Sequence, residues 1–513
     1  MTELNLPQKS RWLDQRVLTL GVVLALLLTS AAYGYVLTRD LPEILLVGVP
    51  VALLVVLLGL QQTEILAVAL LGITWGHISD ILIKYHGIPS PAKGLVAILV
   101  VLVLYQRFVE RRRPLATHPL LWWMVGYLLV VAAGLWYAPR PDRTWVVLVD
   151  FAKEVLLLFL VINTLTSTRW LERAAWCMLL IGALLGTLTF YQEVTWSYSN
   201  MFGGLARSTT AAIADGVSNR PRAGGTTGEP NAFGQQMLVL VPIGLWAALY
   251  ARTLPARILG GYAALACLAG AALSFSRGTF VALIVMGVLL LLRLRLDIRY
   301  TLAILLVAVA AGSASPEVRA RFNTLSTLLP GGERVSGERD ASLERREIEM
   351  LMAVYMFADH PIIGVGADNY VPLFPKYIRA HGSNVEDTKR NAHSLYLEVA
   401  AEHGVIGLFT IGGIMVLSYT WLRRASRWFS ALSDKRMAEL AAALAIGFVG
   451  YAVSATFLHA DYSRFLWLQV DLAAACGLLA SRAYAAAYPA EAAQPASPSA
   501  AHPTNRPATA GEH

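Results

Sequence analysis

Residues 391–407 read N-A-H-S-L-Y-L-E-V-A-A-E-H-G-V-I-G, and they stand where a polar segment, residues 313–390, gives way to an apolar run that continues to residue 422. A histidine, His393, opens a helical pattern that carries Glu402 and closes in Gly-x-x-Gly, Gly404 to Gly407. The run beyond has the length of a bilayer crossing, about 20 helical residues for about 30 Å of hydrocarbon. Inside lipid every backbone N–H and C=O must be satisfied within the segment, which selects helix.

Working outward, the same run length recurs along the chain. Of 513 residues, 56% are hydrophobic and only 15% charged, against about 25% charged in an ordinary soluble domain. Expected spans fall near 17–38, 41–60, 63–81, 92–108, 119–137, 145–165, 172–193, 232–250, 256–273, 279–293, 300–313, 405–422, 437–458 and 464–483. The pattern predicts an all-α polytopic membrane protein with about 12–14 transmembrane helices and a mostly helical periplasmic cap between late spans. A β-barrel would instead show short alternating segments.

The net charge of +8 comes from clusters between apolar runs: Arg111, Arg112 and Arg113, then Arg252 and Arg257, then Arg293, Arg295 and Arg299. These are topogenic charges under the positive-inside rule, and no basic stripe with interleaved aromatics accompanies them, so nucleic acid is excluded as a partner. Lys9, Arg11 and Arg16 precede the first run, which is too long for a signal peptide and is read as uncleaved. The expected division is a cytoplasmic N-terminus (1–16), a transmembrane domain (17–312, with a periplasmic loop 195–231), a periplasmic cap (313–392), C-terminal spans (393–483) and a disordered cytoplasmic tail (484–513). Cys177, Cys267 and Cys476 lie apart within apolar runs and read as small buried hydrophobes, with no metal spacing.

On the outside face, three places carry residues suited to chemistry. The run R-P-R-A-G-G-T-T-G-E-P-N-A-F-G, residues 220–234, sets Arg220 and Arg222 before a glycine-rich turn, with Asn231 at the expected N-cap of the next helix. Such a turn presents backbone N–H groups to an anion, and an arginine adds a fork matched to phosphate oxygens; a plain turn with a solvated arginine has the same sequence. S-F-S-R-G, residues 274–278, puts Ser276 and Arg277 in a very short connection between spans, as an anion ligand or as an arginine reaching to headgroups. His393 is suited to proton transfer near neutral pH, or to a structural hydrogen bond. Within the sixth span Asp150, Lys153 and Glu154 share one helix face, either neutralising one another or leaving Lys153 to an anionic ligand. Asp471 is expected to pair with Arg464 or with another span.

Arg222 with G-E-P-N-A-F-G, S-F-S-R-G-T-F, D-H-P-I-I-G-V-G-A-D-N-Y (residues 359–370) and A-H-S-L-Y-L-E-V-A-A-E-H-G-V-I-G together resemble the O-antigen ligase/polymerase family of bacterial envelope glycosyltransferases. The resemblance covers residues 221–422. In the last motif Ser394 stands where the family usually carries asparagine, followed by Tyr396 and Glu402. The resemblance implies a metal-independent, inverting enzyme without cofactor, in the inner membrane with its site facing the periplasm. It would transfer a glycan from undecaprenyl diphosphate to an acceptor hydroxyl, on lipid A-core in a ligase or on another lipid-linked glycan in a polymerase of O-antigen or exopolysaccharide. Relatives also glycosylate protein. By the same resemblance His393 serves the acceptor hydroxyl and Arg222, Arg277, Arg220 and Lys153 the diphosphate. A lipid or polysaccharide transporter is the rival class and would show inverted repeats.

Overall fold

The computed structural model describes residues 59, 61–110, 114–209, 221–294, 341–381, 391–458 and 464–489. The expected spans at 17–38 and 300–313, that at 41–60 apart from residue 59, and Arg220 lie outside them. The described residues form fourteen α-helices and one two-stranded hairpin. In chain order these are α1 (Thr63–Trp75), α2 (Ile78–His86), α3 (Pro91–Phe108), α4 (Pro119–Tyr137), α5 (Pro141–Thr164), α6 (Thr168–Thr195), α7 (Pro230–Tyr250), α8 (Leu254–Leu273), α9 (Arg277–Leu294), α10 (Ala341–Asp359), α11 (Tyr370–Ala380), α12 (Leu395–Ala431), α13 (Lys435–Ser454) and α14 (Arg464–Ala487). The antiparallel hairpin β1 (Arg207–Thr209) and β2 (Arg222–Gly225) lies between α6 and α7.

Nine of the described helices are long and apolar enough to cross a membrane, and a tenth span arises if α1 and α2, bent by 63° at Gly76 and His77, count as one. The chain is an all-α polytopic membrane protein. Large apolar side chains point outward from it, Trp136 at 84% exposure and Phe108 at 66% among them, as lipid-facing surface requires. The expected sixth span is the helix α5, but any membrane-length window of it contains Asp150, Lys153 and Glu154, so it is not among the nine. α7 and α14 are instead enclosed, and they bury polar groups: Gln235 and Gln236 on one, Gln469 and Asp471 on the other.

Helix starts follow the sequence closely. Prolines at the first position open α3, α4, α5 and α7, where a missing N–H costs nothing. α14 continues to Ala487, past the expected boundary at 483. A second apolar cluster separate from the main core joins Met352 and Met356 of α10 to Tyr370 and Phe374 of α11, and Val365 between them. These two helices therefore have a core of their own.

That small unit is joined to α12 by a backbone junction. α12 is broken at Gly404, whose backbone takes φ 61° and ψ −157°, a region essentially reserved for glycine. The turn after α10 inserts there. Val405 and Ile406 donate backbone N–H bonds to the carbonyls of Pro361 and Ile362 (2.8 and 3.3 Å), while Val365 and Gly366 donate to those of Ala401 and Glu402 (2.9 and 2.8 Å). A Cβ on Gly404 would stand 2.4 Å from the Ile362 backbone, and one on Gly364 2.2 Å from that of Glu402. Both glycines are needed for two backbones to touch.

Candidate active site

Two arginines converge on one turn. Arg222, on β2, donates from Nε to the carbonyl of Ser274 at 3.0 Å and from Nη2 to Asn231 Oδ1 at 3.1 Å. Ser274 belongs to the connection between α8 and α9, and Arg277 is the first residue of α9. Ser276 holds that start by accepting from the Thr279 N–H at 3.5 Å. The N-terminal end of a helix carries partial positive charge, and Arg277 adds a full one.

The glycine-rich turn differs from expectation. Asn231 is not the cap of α7; Glu229 is, its carboxylate accepting from the Ala232 N–H at 2.6 Å and from Asn231 Nδ2 at 2.7 Å. The N-terminus of α7 is thus already filled by an internal carboxylate, a favourable placement against the helix dipole. Asn231 becomes the link between that carboxylate and Arg222.

His393 stands immediately before α12 with φ +49°, a left-handed conformation that is uncommon but enriched for histidine among non-glycine residues. Its Nε2 lies 3.4 Å from Oε2 of Glu349, a residue of α10 that is only 2% exposed. Tyr370 braces the same segment, its hydroxyl donating to the Glu349 carbonyl at 2.6 Å. Ser394 caps α12 by accepting from the Leu397 N–H at 3.5 Å. Tyr396 donates from its hydroxyl to the Ala452 carbonyl at 2.8 Å, near the end of α13. Gly278 packs on Phe457 in the short 3-10 turn that follows α13. The first residues of α9 and α12 therefore rest on the same end of α13, which brings the Arg277 turn and the His393 turn to one end of the bundle.

Glu402 has a framework role: its Oε1 accepts from the Tyr370 N–H at 3.1 Å. Lys153 bonds Asp150 at 2.6 Å on an exposed face, so it is not drawn to the arginine turns through the contacts it makes. Arg464 pairs with Asp80 at 3.2 Å and Glu154 at 3.7 Å rather than with Asp471. Asp471 is fully buried, and its oxygens have no hydrogen-bond partner among the described residues.

Sequence reasoning did not single out Glu349, which lies 44 positions before His393 on a helix with several other carboxylates. It also passed over the clamp at the α4–α5 corner. There Asn369, fully buried, accepts from the Arg140 N–H at 2.8 Å and donates to Thr144 Oγ1 at 3.1 Å. Arg143 grips the Asp368 carboxylate with two bonds of 2.8 and 2.7 Å. The D-N pair in A-D-N-Y was the signal for it, since Asp and Asn in a turn commonly bind backbone.

No curated protein matches the chain. A family model does: residues 262–412 match the one described as O-Antigen ligase. That range takes in Arg277, Glu349, Gly404 and His393, and leaves Arg222 outside it. Over that range, under a third of its length, the chain is similar to the O-antigen ligase family.

Proposed function

We propose that this protein is an O-antigen-ligase-like glycosyltransferase which moves a glycan from undecaprenyl diphosphate to an acceptor hydroxyl at the His393 end of the bundle, with lipid A-core as acceptor. The observation that carries the proposal is the convergence of Arg222 on the turn that bears Arg277, at the same end of the bundle as a histidine held against a buried carboxylate. The acceptor oxygen attacks the anomeric carbon from the face opposite the leaving group, so the configuration inverts. The bond from that carbon to the diphosphate oxygen breaks, and its electron pair leaves with the diphosphate. His393 takes the acceptor proton, with Glu349 orienting the ring and favouring the imidazolium that forms. Arg222 and Arg277 face the charge that grows on the diphosphate. The inner membrane, with the site on the periplasmic side, is where such donors present their glycans.

Purified protein, given lipid-linked glycan and acceptor, should form the glycosylated acceptor and release undecaprenyl diphosphate. The His393→Ala variant, present in membranes at the same level, should lose at least about 100-fold, the lower range for general acid–base catalysis. Transfer near the wild-type rate by that variant would sink the mechanism.

A further inference from the structure

Beginning two residues past His393, a cavity of about 390 Å3 opens between α4, α5, α12 and α14. That volume falls within the range of about 300–1,000 Å3 typical of small-molecule sites. Leu395, Glu398 and Glu402 line it from a single face of α12, and Asp150 and Glu154 line it from α5. Tyr127, Phe151 and Trp467 supply aromatic wall, Phe151 lying 4.8 Å from Trp467 and 5.1 Å from Tyr127 between ring centres. His403 also lines the cavity and is only 3% exposed; its Nδ1 has no hydrogen-bond partner among the described residues. Buried polar atoms are normally paired, so this nitrogen marks a place where an incoming group completes the set.

Charge decides the class of ligand. The two arginines on the wall are committed, Arg143 to Asp368 and Arg464 to Asp80 and Glu154. The rest of the charged lining is carboxylate, with Asp150 held by Lys153 and Glu402 by the Tyr370 N–H, so the wall offers no uncommitted cation to a phosphate. Carboxylate oxygens accept hydrogen bonds and donate none, so they suit a ligand rich in hydroxyl or ammonium donors. Aromatic rings beside them offer an apolar face with a polar rim. A neutral or amino sugar has both properties, and a diphosphate has neither.

We propose that this cavity is a sugar subsite and that it holds the residue bearing the acceptor hydroxyl, with Glu398 and Asp150 accepting from the sugar's donors. The proposal rests on His393 being the acceptor-side base, which stands two residues before Leu395 of the cavity wall. The arginine turn keeps the diphosphate, and the acidic cavity keeps the sugar.

The test uses full-length protein in detergent and saturation-transfer NMR with the methyl glycosides of glucose, galactose and glucosamine, and with glucose 6-phosphate. At least one glycoside should show contact while the phosphate ester shows none. Glu398→Gln and, separately, the exposed-site variant Asp150→Asn should weaken that glycoside about tenfold, the loss of one charge-assisted bond. Both variants are first matched to wild type in thermal stability, and Asp150→Asn carries the test if Glu398→Gln does not fold. Absence of glycoside contact, contact by the phosphate ester, or binding indifferent to the substitutions would each overturn the subsite. A second arm adds lipid-linked glycan to the His393→Ala protein: an acceptor subsite keeps its methyl glycoside, whereas displacement gives the cavity to the donor glycan and overturns the acceptor assignment. The NMR arms with wild type stand whether or not His393 proves catalytic, so the two ideas fail separately.

Discussion

At the scale of single residues, the proposed chemistry rests on charge placed at turns. Arg277 opens α9 and sits beside a turn whose carbonyl is held by Arg222. Replacing Arg277 by alanine should reduce transfer about 100-fold or more, by analogy with removal of one preorganised donor from a transition-state site. Lysine there should recover only part of the rate, because it keeps the charge and loses the fork; full recovery by lysine would show that charge alone suffices. Steady-state rates with saturating donor give the comparison. Arg277 could be picked out as a candidate in the sequence because it stands in a very short connection between apolar runs, and Arg222 and His393 because each stands close to the start of an apolar run. Glu349 was not legible, since the contact that picks it out joins two helices distant in the chain. Asn231 was legible as a residue of the helix start but not as the neighbour of the true cap, because Glu229 and Asn231 both suit that position and only the backbone decides.

At the scale of elements, boundaries were largely written in proline and apolar run length, and interruptions were not. The expected span at 119–137 is the helix α4, residue for residue. The helical pattern that closes at Gly404 to Gly407 and the span expected from 405 are one helix, α12, broken at Gly404, and only the docking of the turn at 361–366 gives the reason for the break. Gly404→Ala should destabilise the protein by about 2 kcal/mol or more, the strain of a non-glycine residue in that backbone region plus a clash with Ile362. Thermal unfolding in detergent checks it, and faster proteolysis between α10 and α12 should accompany the drop. An unchanged melting temperature would mean that the backbone can relax there. Asn369→Ala removes the clamp between α11 and the α4–α5 corner and leaves buried Thr144 and the Arg140 N–H short of a partner. Each buried group left unsatisfied costs about 1–3 kcal/mol, so this substitution should lower stability, and glutamine should rescue it better than aspartate, which cannot donate to Thr144 or to the Ala367 carbonyl.

At the scale of the whole molecule, the membrane-spanning helices hold one decorated end. Composition alone gave the polytopic helical class, because 56% hydrophobic residues in runs of membrane length admit no soluble core. The cavity shared by four helices was not legible, since it depends on which side chains distant in the chain meet. Treating purified protein with EDTA should leave the transfer rate unchanged if the arginines neutralise the leaving diphosphate; a loss restored by Mg2+ would assign that task to a metal. Deleting the protein from its cell should leave unlinked lipid-carried polymer in the envelope, whereas single repeat units on the acceptor would mark a polymerase. The join at Gly404 bears on how substrates arrive. Four backbone bonds cross it, each worth about 0.5–1.5 kcal/mol net, so α10 and α11 cannot hinge upward without unpicking a membrane helix. Roof and pillar move as one lever, and the cheaper doorway for the lipid-tethered donor proposed above is sideways, through the seams between helices.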